Sequence, residues 1–294
     1  MTILNIYDCF TFFNELDLLE IRLNELDSLV DYFIIVEADK THTGIQKKYI
    51  FEENKQRFKK FFKKIIYIKI KLPLNKNSWI LEKFQRMQIN SGLTNCNLND
   101  IIMISDIDEI PNKQEIKNII KKPFRKNTFI QKLTTPIYKN YSIYKRNIFF
   151  RKIGSRFKQN VFVCKQKLYY YYLNGLLSDN WKGTVITNYD TYKHIFNSNP
   201  QILREIRDKQ QTINDGGWHF SYLGGYNKII KKLSSFAHTE YNTSKYKNKK
   251  FILNKIETGK NLFNDKKINY ITIDSTYPNW ILKNTKKYKK LIKT

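Results

Sequence analysis

A chain of 294 residues with 41% hydrophobic and 15% aromatic residues has ample material for a packed α/β core, which excludes a disordered or fibrous class. Its 53 lysines and arginines against 26 acids give a formal net charge of +27, a balance that invites nucleic acid or another anionic partner. Lysine far outnumbers arginine, and alanine stands only at Ala38 and Ala237, so A/T-rich codon usage accounts for much of the basicity, and no Arg-rich stripe marks a nucleic-acid face.

In chain order, residues 3–7 predict a strand, followed by a loop carrying Asp8, Phe10 and Phe12. From 14 to 29, Leu16, Leu19, Leu23 and Leu26 recur at three- and four-residue spacing, which predicts an amphipathic helix capped by Asn14. Residues 31–36 read as a buried strand ending in Glu37, and a basic amphipathic segment near 52–63 leads to a third strand, 65–70. Ser78 is the expected cap of a helix over 79–91, with Gly92 as its stop. In the second half, strands are expected at 129–144, 147–153, 167–173 and 181–187, and helices at 200–211 and 226–238.

Alternating strands and helices predict an α/β fold with a mainly parallel central sheet flanked by helices and a mixed C-terminal part. No linker of Pro, Gly or Ser separates the halves, so residues 1–294 read as one domain, divided into 1–111 and 112–294 with a basic tail. Beyond Trp280, Lys286, Lys287, Lys289 and Lys290 are expected to project into solvent or toward an anionic surface. Cys9, Cys96 and Cys164 are odd in number and widely spaced, fitting a reducing compartment. The N-terminus lacks a basic segment followed by an apolar run, and no stretch approaches the length that spans a bilayer, so a soluble, cytoplasmic protein is expected. The sequons at Asn140 and Asn242 are unremarkable in so Asn-rich a chain.

The stretch richest in chemistry is 101–111, four apolar residues and Ser105 running into Asp106, Asp108 and Glu109. In open α/β sheets ligands bind beyond the carboxyl ends of buried strands, so these acids stand where a site forms. Hard oxygen ligands at that spacing suit Mn2+ or Mg2+ carrying a diphosphate, which implies a nucleotide-sugar site; a solvated acidic turn closed by Pro111 is the plain alternative. Glu37 ends the neighbouring strand. Glu82, Gln85 and Arg86 share one helix face, either as a local ion pair or with Arg86 reaching a phosphate. The run from Asp215 to Gly225 sets His219 in an aromatic strand between paired glycines, a pattern that permits close approach of backbone to a ligand. His238 with Glu240 is the weaker histidine candidate, and His42 and His194 have no context that singles them out. The rival classes are a metal-dependent nuclease or nucleotidyltransferase and a basic nucleic-acid-binding protein.

The segments from Asp8 to Leu23, from Phe33 to Ala38, from Trp79 to Arg86, from Asp106 to Pro111 and from Gly216 to Ser221 together resemble glycosyltransferase family 17, whose best-known members add a bisecting GlcNAc. The resemblance runs from Asp8 to about Leu282. It implies an inverting enzyme of GT-A-like fold using a UDP-sugar, UDP-GlcNAc by kinship, and Mn2+ or Mg2+, with a glycan hydroxyl as acceptor and no nucleic-acid partner. On that basis Asp108 is expected at the metal, Asp106 at the ribose or the metal, His219 at the metal or the diphosphate, and Glu109 behind the metal ligands or at the sugar. Glu82, Arg86 and the Asp8, Phe10 and Phe12 loop are expected at the nucleotide, and Asp215, or alternatively Glu37, as the base. Peripheral contact with an anionic surface fits the charge.

Overall fold

The fold is that of a computed structural model describing residues 4–121, 124 and 160–294; the strands expected at 129–144 and 147–153 lie outside the described residues. Strands β1 (Ile6–Phe12), β2 (Tyr32–Ala38), β3 (Ile65–Ile70) and β4 (Ile101–Asp106) pair in parallel in the order β3-β2-β1-β4. Their near-continuous apolar runs are those of strands covered on both faces, and β1 sits centrally with Asp8 between Phe33 and Met103.

The remaining strands are β5 (Glu109–Pro111), β6 (Val161–Tyr170), β7 (Gly175–Asn188), β8 (Gln211–Ile213), β9 (Gly217–Ser221) and β10 (Asn269–Tyr270). They extend the same sheet as β4-β7-β6-β9-β5, with β8 and β10 attached beside β6 and β7. β7 runs antiparallel to β4 and β6, and β5 antiparallel to β9, whereas β6 is parallel to β8 and β9, so the first four strands are parallel and the sheet as a whole is mixed. The cause is local: β6 and β7 are joined by a tight connection, and a connection that short permits only antiparallel pairing.

The helix Leu16–Leu26 packs on one face, where Leu19, Ile21, Leu23 and Leu26 meet Phe10, Phe33 and Met103. On the other face Tyr7, Cys9, Ile34 and Ile104 pack with Leu81, Tyr192 and Leu203. A third cluster joins β6 and β7 to the helices Gly225–Ser235 and Lys249–Glu257. The helix Ser78–Met87 is capped by Asn77, not Ser78, through its Oδ1 accepting from Trp79 N at 3.0 Å. Gly92 fits because a Cβ there would meet Ile34 at 2.8 Å.

The tail packs well beyond Leu282. Tyr288 is buried and its hydroxyl accepts from Trp280 Nε1 at 3.0 Å, while Leu291 O accepts from Leu173 N at 2.7 Å. Lys287 is ion-paired with Glu20, so of the four tail lysines this one is not simply solvated. No helix among the described residues is long and apolar enough to cross a membrane.

Candidate active site

The acidic turn is built from below by Arg22. This guanidinium is fully buried, held by both oxygens of Asp8 at 2.6 and 2.7 Å and lying over the Phe10 ring at 4.5 Å. It donates to the backbone carbonyls of Asp106, Ile107 and Glu109 at 3.0, 3.2 and 2.9 Å, and to Ser105 Oγ at 2.5 Å. One side chain thus gathers three carbonyls of the tight turn between β4 and β5, and it fixes where the carboxylates point.

Above that turn the three acids meet four cations. Asp106 receives Arg86 Nη1 at 2.8 Å on one oxygen and Arg204 Nη2 at 2.8 Å on the other. Glu109, wholly buried, receives Arg204 Nη1 at 2.6 Å, Trp181 Nε1 at 2.9 Å and the Asp106 backbone N–H at 3.0 Å, with Arg207 at 3.8 Å. Asp108 receives Lys232 Nζ at 2.9 Å and faces His219 Nε2 at 3.4 Å. Burial alone would raise all three carboxyls, but the neighbouring charges outweigh it. Arg204 and Arg86 hold Asp106 far below the usual carboxylate range, Lys232 and His219 do so for Asp108, and Arg204 lowers Glu109.

These groups open into a cavity of about 900 Å³ at the carboxyl ends of the parallel strands. Phe12, His42, Glu82, Arg86, Asp106, Asp108 and His219 all line it, so most of the residues expected at a site are brought together. Trp181, Arg204, Arg207, Lys232 and His238 line it as well. His42, which sequence context did not single out, is bonded through Nε2 to Gln85 Oε1 at 2.8 Å. Gln85 in turn donates to Val36 O at 2.9 Å. Burial lowers the His42 pKa, which favours the neutral ring.

Other expected residues lie elsewhere. Asp8 and Phe10 are core residues that serve Arg22 and do not reach the cavity. Glu37 is saturated by four donors, Lys47 Nζ at 2.6 Å, Ile50 N at 2.6 Å, Phe51 N at 3.0 Å and Tyr67 OH at 2.9 Å, and so anchors the start of the helix Ile50–Asn54. Asp215 sits exposed in a turn at φ +48°, outside the cavity lining. Gly216 and Gly217 serve strand packing rather than a ligand: a Cβ on Gly216 would meet Cys164 at 2.7 Å, and one on Gly217 would meet Ile110 O at 2.2 Å.

A divalent ion needs ligands free to face it. Asp106 does not qualify, since an arginine holds each of its oxygens. Asp108 Oδ2 faces His219 Nε2 at 3.4 Å but also accepts from Lys232 at 2.9 Å, so an ion shared by the pair through that oxygen would have to displace the lysine; His219 Nδ1 is buried without a partner. Among the described residues no group of three or more His, Cys, Asp or Glu side chains is gathered as a metal site. Among the described residues an ion at this place would thus have two protein ligands at most, with the other positions left to ligand oxygens, as Mg2+ and its relatives accept.

Comparison with known proteins places these motifs. None of the curated proteins matches the chain. A crystal structure of 4-diphosphocytidyl-2C-methyl-D-erythritol synthase aligns over 72% of this chain and 90% of its own, at 8% identity and a TM-score of 0.37, a likeness too slight to fix fold or function. Residues 2–129, which contain β1 to β5 with Asp106, Asp108 and Glu109, match the sequence profile of Glycosyltransferase family 17, which bears out the resemblance over that part of the chain and supports a transferase; the segment 216–221 lies beyond the match.

Proposed function

We propose that the chain is an inverting glycosyltransferase of GT-A-like build that takes a UDP-sugar, UDP-GlcNAc by kinship, and passes the sugar to a glycan hydroxyl. The observation that carries this reading is the cavity at the carboxyl ends of β1, β2 and β4, where Asp106, Asp108 and Glu109 are locked among Arg86, Arg204, Arg207 and Lys232. A departing diphosphate needs hydrogen-bond donors already fixed in place, and cations held by their carboxylate partners at the cavity wall supply them without reorganising.

A divalent ion, Mn2+ or Mg2+, would be held by Asp108 and His219, and when bound it would neutralise charge on the diphosphate. The chain's own residues do the rest. Arg86 and Arg204 fix Asp106 from two sides, leaving its carboxylate at the cavity wall in one orientation. Inversion also needs a base on the side opposite the leaving group. Neither Asp215 nor Glu37 lines the cavity; His238 does, with its Nδ1 2.7 Å from Glu240 Oε1 and its ring edge-on to Trp79 at 4.5 Å. A carboxylate accepting from Nδ1–H leaves Nε2 as the lone-pair nitrogen, the state that withdraws a proton from a hydroxyl. We assign the base to His238, oriented by Glu240.

Incubation with a panel of UDP-sugars, with and without Mn2+, and measurement of released UDP tests the reading. UDP release from one donor is the expected result. Release from none, together with tight binding of DNA or RNA that weakens steeply with salt, would return the chain to the nucleic-acid class that its charge invites.

A further inference from the structure

Of its large apolar side chains, the helix Ser78–Met87 buries Leu81 fully in the core and leaves three others largely uncovered. Its buried side chains include Gln85 and Arg86, whereas Trp79, Ile80 and Phe84 stand exposed. A surface helix with nothing to meet presents the reverse. Ile80 and Phe84 are four residues apart and share one face, with Lys83 beside them. The loop leading into the helix adds Leu74, 94% exposed, and the loop after β2 adds Ile45, 57% exposed. Those loops leave the same edge of the sheet: Ala38 and Ile70 are paired at the ends of β2 and β3, and the Asp39 carboxylate accepts from Leu72 N at 2.9 Å. Trp79 and Glu82 line the cavity, so the apolar group stands beside its mouth.

Charge identifies what covers this face. Segments 40–48 and 71–84 carry Lys40, Lys47, Lys48, Lys71, Lys76 and Lys83 against a single acid, Glu82, which is turned onto Arg86 at 2.7 Å. Lys47 is directed inward to Glu37, Lys48 pairs with Glu53 at 3.0 Å at the rim, and Lys83 has a loose pair with Glu205 at 3.8 Å. A second copy of a chain carrying +27 would be repelled by such a face. An anionic bilayer fits both of its parts, with leucine, isoleucine and phenylalanine at the acyl boundary and ammonium groups among the headgroup phosphates. We propose that this face docks the protein on an anionic lipid surface and holds the cavity mouth against it. The docking stands apart from the transferase reading and is tested without donor or acceptor.

The test is cosedimentation of the full chain with vesicles of phosphatidylcholine alone and of phosphatidylcholine mixed equally with phosphatidylglycerol, at about 0.15 M salt. The wild type is expected to sediment only with the anionic vesicles. Leu74→Ser, Ile80→Ser and Phe84→Ser together should lower vesicle affinity at least about tenfold through lost apolar insertion. Lys71→Gln, Lys76→Gln and Lys83→Gln should lower it about fivefold per charge removed. Absence of wild-type binding overturns the proposal, as does binding that both variants retain in full. Self-association in solution that the serine variant abolishes, without vesicle binding, would assign the face to a second copy and overturn it too.

Discussion

Replacing Arg204 by methionine should destabilise the protein by about 3 kcal/mol, because it strands Glu109 in the interior. The estimate starts from the two hydrogen bonds of 2.6 and 3.1 Å that Arg204 makes to a carboxylate with no exposure to solvent. Breaking a buried pair by removing one partner costs roughly 3–5 kcal/mol. The lower end applies here, since Arg207 stands 3.8 Å from Glu109 and Trp181 still donates at 2.9 Å. The bond to Asp106 adds little, because that carboxylate is partly exposed and keeps Arg86. The sign of the pH dependence gives a sharper test. In the wild type, Asp106, Asp108 and Glu109 are lowered in the folded state, so their contribution is present above the unfolded carboxylate range and is lost as pH falls through the folded values. In Arg204→Met, burial raises the uncompensated Glu109, so the folded variant takes up protons and its stability falls as pH rises past the unfolded value, at up to about 1.4 kcal/mol per pH unit. Urea unfolding at pH 5 and pH 8 reads both effects. A loss below about 1 kcal/mol at pH 8, or variant and wild-type curves that run parallel with pH, would refute the account of Glu109 as a buried, arginine-compensated charge.

Asp108→Asn should lower UDP release about a hundredfold or more and abolish its dependence on Mn2+; turnover at the wild-type level would detach Asp108 from the site. His238→Gln should leave donor affinity unchanged while kcat for transfer falls about a hundredfold or more, with Glu240→Gln giving a smaller loss through the freed ring; equal losses in donor binding and kcat would make His238 a binding residue instead. Tyr288→Ala should cost about 3 kcal/mol by urea unfolding, since it empties a buried site between Trp280 and the first helix, whereas Lys286→Gln, Lys289→Gln and Lys290→Gln together should stay within about 0.5 kcal/mol of the wild type.

Much of the site was legible because its first elements are local. The apolar run before Asp106 and the spacing of Glu82, Gln85 and Arg86 are short-range patterns, and the structure puts each on the element that its periodicity implies; Glu37 has the same strand-end signal and does not reach the cavity. What closes the site is not local. Arg204 reaches Glu109 across 95 residues of sequence, Lys232 reaches Asp108 across 124, and Trp181 reaches Glu109 across 72. Hydrophobic periodicity says which face of a helix is buried but not which strand end it will meet, so an arginine on a short helix after Pro200 looked like any surface cation. The same limit explains the sheet: strand content was visible, but the direction of β6 and β7 follows from their tight connection and from pairings made across the fold.

Arg22 is the instructive miss, because its signal was present. Leu19, Leu23 and Leu26 mark the apolar stripe of the first helix, and Arg22 lies inside that stripe, three residues after Leu19 and four before Leu26. A charge there is tolerated only if it is paired and hydrogen-bonded once buried, so its position alone demands an acid and several carbonyls within reach. Asp8, read as a nucleotide contact, is that acid, and the carbonyls belong to the turn that carries Asp106 and Asp108. The two segments of the family motif are therefore one device: the first helix holds the acidic turn in shape from inside the core, and the carboxylates face the cavity because Arg22 has already claimed the backbone behind them.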